Sequence, residues 1–177
     1  MKPEFQTINP FQFKLDLIKW ELESIAKVIE RMDNFAQASK NWAVLIWAGV
    51  ISLTLSKDIN QLRPLLILMT SIVPILFWYI DSFFRRLQRR SIFRQTKISE
   101  YINSNDFIND CNNNVFQNFI VVDITGVQYR QNPDYKAFVS QRKTMKYREV
   151  SVFYSGLIII SLVLSATFWV YNINSCH

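Results

Sequence analysis

Three apolar runs divide this chain of 177 residues, covering residues 42–56, 64–84 and 150–171. A helix needs roughly 20 apolar residues to cross the hydrocarbon core of a bilayer. The second and third runs meet that length, and the first does so if Phe35, Ala36 and Ala38 before it are included. Asp81 is the only charged residue within the three runs. The pattern therefore predicts three membrane-spanning helices.

The segment before the first run has a different pattern, in which apolar residues recur at alternating intervals of four and three. They are Phe11, Leu15, Ile18, Leu22, Ile25, Ile29 and Met32. This is the spacing of a heptad seam, which needs a partner helix in water. We predict an oligomer seam formed by Leu15, Ile18, Leu22, Ile25 and Ile29. Because no Gly or Pro lies between Pro10 and the first apolar run, the helix should continue unbroken into that run.

Proline, asparagine and glycine predict where the other helices begin and end. Pro64 suits the first turn of the second helix, Pro74 should kink it, and the helix should continue to about Asn103. The triplet Asn132-Pro133-Asp134 is a helix start, from which the third helix should run unbroken into its apolar run.

The segment between these helices contains the only predicted β structure. Residues 119–124 are rich in β-branched side chains, and a Thr125-Gly126 turn separates them from residues 127–130. That arrangement favours a short hairpin.

The predicted fold class is an all-α integral membrane protein. It consists of a helical hairpin plus a third span, with long cytoplasmic helix extensions and a small cytoplasmic insert that holds the β-hairpin. We divide the chain into an amphipathic helix (1–41), a two-span hairpin (42–84), cytoplasmic basic helices with the insert (85–149), and a third span with a short outer tail (150–177).

The distribution of positive charge predicts the orientation. The chain has 20 Lys and Arg against 14 Asp and Glu, and all the basic residues except Lys57 and Arg63 lie in segments 1–41 and 85–149. Basic segments stay on the cytoplasmic side, so we expect an integral membrane protein with its N-terminus in the cytoplasm and its C-terminus outside. The expected interfacial anchors, facing lipid headgroups, are Arg85, Arg86, Arg89, Arg90, Arg94, Lys146 and Arg148. Asp81 lies four residues before Arg85, which suggests a local ion pair.

Polar residues form stripes within the predicted spans. On the third span the stripe consists of Ser151, Ser155, Ser161, Ser165 and Asn172, and on the first span of Asn41, Ala48, Ser52 and Ser56. Small residues at this spacing commonly mark close helix contacts, with hydroxyls bonding across the interface. The alternative is that a stripe lines water. Three helices enclose no wide path, so a water-lined stripe requires an oligomer, and we take the third-span stripe as the candidate pore lining.

The side chains needed for catalysis are scarce. The single histidine, His177, is at the C-terminus, and no Arg precedes it at the spacing of a HEPN-type ribonuclease. Cys176 and His177 supply too few ligands for zinc, and three scattered glycines form no phosphate-binding loop. We therefore expect no enzyme activity, no metal and no cofactor.

The order of these parts resembles small membrane effectors of bacterial anti-phage systems. The resemblance rests on a cytoplasmic helix, the hairpin 42–84 and the exit Arg85-Arg86-Leu87-Gln88-Arg89-Arg90. The hairpin is similar to the two-span SLATT family, and the whole chain resembles the CRISPR-associated accessory proteins of type VI-B systems. The resemblance implies an oligomeric pore that depolarises the inner membrane and is functionally coupled to an RNA-guided RNA nuclease.

The leading hypothesis from the sequence is a homo-oligomeric inner-membrane pore that enhances CRISPR-based anti-phage defence. Its expected partners are further copies of itself, membrane lipids and, functionally, the nuclease, without direct nucleic-acid binding. The alternative is a non-conducting membrane scaffold that recruits a soluble nuclease or RNA partner.

Overall fold

The structure is a computed structural model that describes residues 9–56, 62–116, 119 and 122–175. Its secondary structure in these ranges is helical throughout, with no strand. The elements are α1 (Pro10–Ser56), α2 (Arg63–Thr70), α3 (Ile72–Ile102), α4 (Asn105–Asn113), a 3-10 turn (Val127–Tyr129), α5 (Pro133–Phe138), α6 (Gln141–Met145) and α7 (Arg148–Ser175).

Helix α1 confirms the prediction of one continuous helix, since it runs for 47 residues from Pro10 to Ser56. Its start is capped by the Asn9 side chain, whose Oδ1 accepts a hydrogen bond of 3.0 Å from the Phe11 backbone amide. Such a cap satisfies an amide that has no partner inside the helix.

The predicted kink at Pro74 occurs as the break between α2 and α3 at Ser71. The Ser71 amide bonds to the Leu68 carbonyl at 3.1 Å, which is a tighter turn than an α-helix makes. Pro74 has no amide to donate, and its ring crowds the carbonyl of Thr70, four residues earlier. Helix α3 then ends at Ile102, close to the predicted position.

The prediction of an unbroken third helix is wrong beyond its first turns. Its start is confirmed, because Asn132 Oδ1 accepts from the amides of Asp134 and Tyr135 at 2.8 and 3.4 Å. The helix then breaks twice, between α5 and α6 and between α6 and α7. No Gly or Pro marks these breaks. Instead, α6 is held by tertiary bonds, such as the one of 3.2 Å from Thr144 Oγ1 to the Ser82 carbonyl.

The predicted β-hairpin is also wrong, because its second arm is the 3-10 turn. The turn at Gly126 is present, with φ +63° and a hydrogen bond of 2.9 Å from its amide to the Asp123 carbonyl. The Asp123 carboxylate then accepts from the amides of Val127 and Gln128 at 2.8 and 3.0 Å. These side-chain bonds replace the pairing of a strand. Residues 120 and 121 of the first arm lie outside the described residues.

The chain forms two compact units. The first comprises Met1–Arg31 and Leu87–Val139, and the second Met32–Arg86 and Ser140–His177. One core cluster of the first unit is made of Ile18, Ile25, Ile98 and Phe116, and another of Phe93, Tyr135 and Val139. The second unit contains all three apolar runs, and its core cluster is formed by Ala43, Val150 and Tyr154. The division predicted from the sequence, into cytoplasmic, membrane-spanning and outer segments, has other boundaries than these two units and stays a prediction.

Three helical stretches of the described residues are long and apolar enough to cross a membrane. They lie within Pro10–Ser56, Arg63–Ile102 and Pro133–Asn174. Large apolar side chains are exposed along them, including Leu45, Leu76 and Val163. Exposed apolar surface of this extent is unfavourable in water, so these helices are compatible with a membrane location.

Candidate functional site

Two serines of the α7 stripe lie inside the second unit and have tertiary partners. Ser161 Oγ accepts a hydrogen bond of 2.7 Å from Trp47 Nε1 and lies 3.3 Å from Thr70 Oγ1. Ser165 Oγ donates to the Pro64 carbonyl at 2.8 Å. The carbonyl of Pro64, which is in the first turn of α2, thus gains a partner from α7. These contacts match the use of small hydroxyls at helix interfaces.

The other members of the α7 stripe are more exposed. Ser151 and Ser155 are half-buried, and each hydroxyl bonds to a carbonyl of its own helix, at Arg148 and Val152. Asn172 is also half-buried. The stripe is therefore divided between an occupied interface at Ser161 and Ser165 and an accessible half at Ser151 and Ser155. Its assignment as a pore lining stays a prediction.

The α1 stripe is arranged differently, because none of its members is buried in the second unit. Asn41, Ala48, Ser52 and Ser56 are all exposed. Gly49 beside them is exposed as well, and a Cβ atom placed on it meets no atom within 4 Å. The first apolar run therefore presents small and polar residues on its outer surface.

A charged cluster lies at the end of the second apolar run, formed by Asp81, Arg85, Glu149 and Lys40. Asp81 is fully buried, and its Oδ1 accepts from Arg85 Nε at 3.3 Å, which confirms the predicted pair. Arg85 Nη2 also lies 3.8 Å from Glu149 Oε2, and Lys40 adds electrostatic attraction to Asp81. The cluster thereby joins residues from α1, α3 and α7.

The charged cluster is incompletely satisfied by hydrogen bonds. Tyr154 of α7 is fully buried and interacts electrostatically with Asp81. Neither its hydroxyl nor Asp81 Oδ2 reaches hydrogen-bond geometry with a partner among the described residues. Ionisable groups at such a depth in apolar helices are rare and commonly functional. The cluster is the strongest candidate for an electrostatic element of the second unit.

The predicted interfacial arginines occupy several different environments. Arg85 belongs to the charged cluster, whereas Arg86 and Arg90 are half-buried with Nε atoms that have no partner in the described structure. Arg89 donates from Nε to the Phe138 carbonyl at 2.6 Å and lies over the Phe138 ring at 3.9 Å. Burial lowers the pKa of Arg89.

Arg94 differs from the other arginines because it does not face solvent or lipid. It is fully buried in the first unit and makes two hydrogen bonds to Glu21, from Nε to Oε1 at 2.8 Å and from Nη2 to Oε2 at 3.1 Å. Its Nη1 donates to the Tyr129 hydroxyl at 2.9 Å, and the Phe119 ring lies 4.7 Å from the guanidinium carbon. An interfacial role therefore does not fit Arg94. Lys146 and Arg148 are exposed, as that role requires.

Glu21 completes this pair by binding the backbone of the insert. Its two carboxylate oxygens accept from the amides of Val122 and Asp123, each at 2.8 Å. Val122 has φ +70°, and successive amides around a left-handed residue form a concave anion site. Burial alone would raise the pKa of Glu21, but the bonds from Arg94 and the two amides outweigh it, so the pKa is lowered. The pair also raises the pKa of Arg94, although burial opposes the shift.

Sequence reasoning missed Glu21, although a signal was available. Glu21 lies three residues after Ile18 and four before Ile25, so it shares their buried helix face. Arg94 likewise lies four residues before Ile98. Two opposite charges, each interrupting an apolar face, are the signature of a buried pair.

The predicted oligomer seam is covered within the chain. Ile18 and Ile25 are buried with Ile98 and Phe116, and Leu15, Leu22 and Ile29 pack against that cluster. The seam therefore has an intramolecular partner, and its role in assembly stays a prediction. Among the described residues, no group of three or more His, Cys, Asp or Glu is placed to hold a metal ion. Cys176 and His177 lie outside those residues.

Comparisons of the chain with protein-family models, curated proteins and solved structures found no match.

Proposed function

We propose that the chain assembles into a homo-oligomeric pore in the bacterial inner membrane, which depolarises the membrane and enhances CRISPR-based anti-phage defence. The observation that carries the proposal is the exposed stripe of Asn41, Ala48, Ser52 and Ser56 on α1. Polar groups that face lipid are unfavourable, so such a stripe favours contact with another helix or with water. The defence role is supported by the resemblance in layout described above.

The contacts of the serines favour α1 over α7 as the lumen-facing helix. Within the chain, the Ser161 hydroxyl bonds to the side chains of Trp47 and Thr70, and the Ser165 hydroxyl bonds to the Pro64 carbonyl. Turning them toward water would break these bonds. Ser52 is exposed and small, so it is free to face a lumen or a neighbouring copy without rearrangement of the second unit.

Cysteine accessibility during current recording tests this assignment. The background is the full chain with Cys111→Ser and Cys176→Ser, reconstituted in planar bilayers. A charged, membrane-impermeant thiol reagent should reduce current through the Ser52→Cys variant and leave the Ser161→Cys variant unchanged. Leu53→Cys is the matched control, because Leu53 is adjacent and 64% exposed but apolar. Block only at Ser161→Cys would reassign the lumen to α7, and bilayers without any current would contradict the pore.

A scaffold is the second candidate, and the first unit favours it by a specific feature. Phe13 and Trp20 are about half exposed on α1, seven residues apart and hence on one helix face. Such a surface suits a soluble protein partner. Membrane potential measured by dye uptake separates the two functions in cells that express the chain alone or with an RNA-guided RNA nuclease under phage challenge. Depolarisation that follows the chain supports the pore, whereas effective defence at unchanged potential supports the scaffold.

A further inference from the structure

A groove of about 450 Å³ opens in the second unit, where the second apolar run ends and the third begins. Its lining residues are Trp78, Arg142, Met145, Lys146 and Ser151. Sites for small ligands span roughly 300 to 1,000 Å³, so the groove has room for a polar headgroup. Its lining combines two large apolar side chains with two cations.

One wall of the groove is helix α6, which is held in place by bonds to α3. Trp78 Nε1 donates to the Met145 carbonyl at 3.1 Å, and Thr144 Oγ1 donates to the Ser82 carbonyl at 3.2 Å. Gln141 Nε2 lies 3.5 Å from Ser82 Oγ. These bonds explain why the third helix is interrupted. They also preform the groove, because its wall needs no ligand to be positioned.

The charge of the groove is unbalanced. Arg142 and Lys146 are exposed and lie four residues apart. Neither has an ion-pair partner among the described residues. Glu149 is the only acid in residues 141–151, and its carboxylate is directed toward Arg85 at 3.8 Å. An anion between Arg142 and Lys146 would therefore meet two cations that form no ion pair within the described part of the chain.

We propose that this groove binds the headgroup of an anionic phospholipid. The phosphate would be held by Arg142 and Lys146, and the adjoining glycerol and acyl segment would lie along Trp78 and Met145. A free phosphate uses only the cationic half of the lining, whereas a phospholipid uses both halves. Basic pockets beside membrane helices are common sites for anionic lipid headgroups. The inference rests on the membrane placement proposed above and is independent of conduction.

Native mass spectrometry of the full chain in mild detergent tests the site. The protein is mixed with equal amounts of phosphatidylglycerol and phosphatidylcholine that carry identical acyl chains. We expect the wild type to retain phosphatidylglycerol preferentially. In the Arg142→Gln/Lys146→Gln variant, the ratio of retained phosphatidylglycerol to retained phosphatidylcholine should fall about tenfold, since each basic residue near a membrane surface adds attraction to anionic lipid. The exchanged variant Arg142→Lys/Lys146→Arg, which keeps both charges, should keep the wild-type ratio.

The matched control is Lys27→Gln/Arg31→Gln, which removes the same two residue types at the same spacing from exposed positions of α1. It should behave as the wild type. Equal retention of the two lipids by the wild type, or an equal loss in the control, would overturn the site. Displacement of phosphatidylglycerol by equimolar glycerol 3-phosphate would identify a soluble-anion site instead and would also overturn it. Current is recorded in a separate experiment. A protein that retains phosphatidylglycerol preferentially but carries no current would refute the proposed pore and leave the lipid site supported.

Discussion

Arg94 Nε lies 2.8 Å from Glu21 Oε1, and both side chains are completely buried although 73 residues separate them in sequence. The pair connects α1 with α3. Each carboxylate oxygen of Glu21 accepts a second hydrogen bond, from the amide of Val122 or Asp123, and Arg94 Nη1 donates to the Tyr129 hydroxyl. A buried ion pair is tolerable only when such additional bonds satisfy it. The Glu21–Arg94 pair therefore meets this condition within the first unit.

Removing one partner of this pair should strongly destabilise the first unit. Arg94→Gln leaves a buried carboxylate without its cation, and breaking a buried pair in this way costs about 3 to 5 kcal/mol. Thermal unfolding of the purified protein in detergent measures the loss. The control is Lys97→Gln, which removes the half-buried cation paired with the exposed Glu100 and should cost less than about 1 kcal/mol. Equal melting temperatures for both variants would contradict a structural role for the pair.

The same pair should make stability depend on pH in the acid range. The folded state lowers the pKa of Glu21 below its ordinary value of 4.5. A carboxyl group whose pKa is lowered by folding stabilises the folded state at pH values above its pKa in the unfolded state. This stability is lost as the pH falls through its pKa in the folded state. The difference in free energy of unfolding between wild type and Glu21→Gln should therefore shrink as the pH falls below 4.5. A difference that stays constant down to about pH 2 would show that the charge of Glu21 is not involved.

Ser161 should contribute more to stability than Ser155, although both belong to the α7 stripe. Ser161→Ala removes the acceptor of the half-buried Trp47 indole, whose Nε1 donates to Ser161 Oγ at 2.7 Å. Interhelical bonds of this kind are worth about 0.6 kcal/mol on average and up to about 1.7. Ser155→Ala removes only a bond within its own helix, so its melting temperature should stay near that of the wild type. A larger effect of Ser155→Ala would point to a partner outside this chain.

The hydroxyl of Tyr101 should contribute more to the stability of the folded protein than the hydroxyl of Tyr135. Tyr101 donates to the Asp110 carboxylate, and bonds to charged groups contribute about 1.5 to 3 kcal/mol. Burial, together with this bond, raises the pKa of Tyr101 above its ordinary value of 10.0. Tyr135 only approaches the Thr125 carbonyl at 3.5 Å. We expect Tyr101→Phe to lower the denaturation midpoint clearly and Tyr135→Phe to change it little, and the reverse order would refute this assignment.

The elements that the sequence predicts well are those whose signals are local. The unbroken α1 follows from the absence of Gly and Pro between Pro10 and the first apolar run, and the start of α5 from the cap at Asn132. The break before Pro74 follows from the missing amide of proline. The strand prediction for residues 127–130 failed because the Asp123 side chain takes the amides that a strand would pair. Whether the Asp123 side chain can reach these amides depends on the geometry of the loop, which the strand propensity of single residues does not describe.

By itself, the sequence determined that this protein has three apolar helical stretches and a basic remainder, because helix length, periodicity and charge are properties of neighbouring residues. Only the tertiary structure decided which polar residues are buried. Glu21 and Arg94, or Trp47 and Ser161, come together across 73 and 114 positions of chain. The same holds for the breaks around α6, where bonds to Ser82 and Trp78 outweigh helix propensity. Such contacts depend on how distant helices pack, and no local pattern specifies that packing.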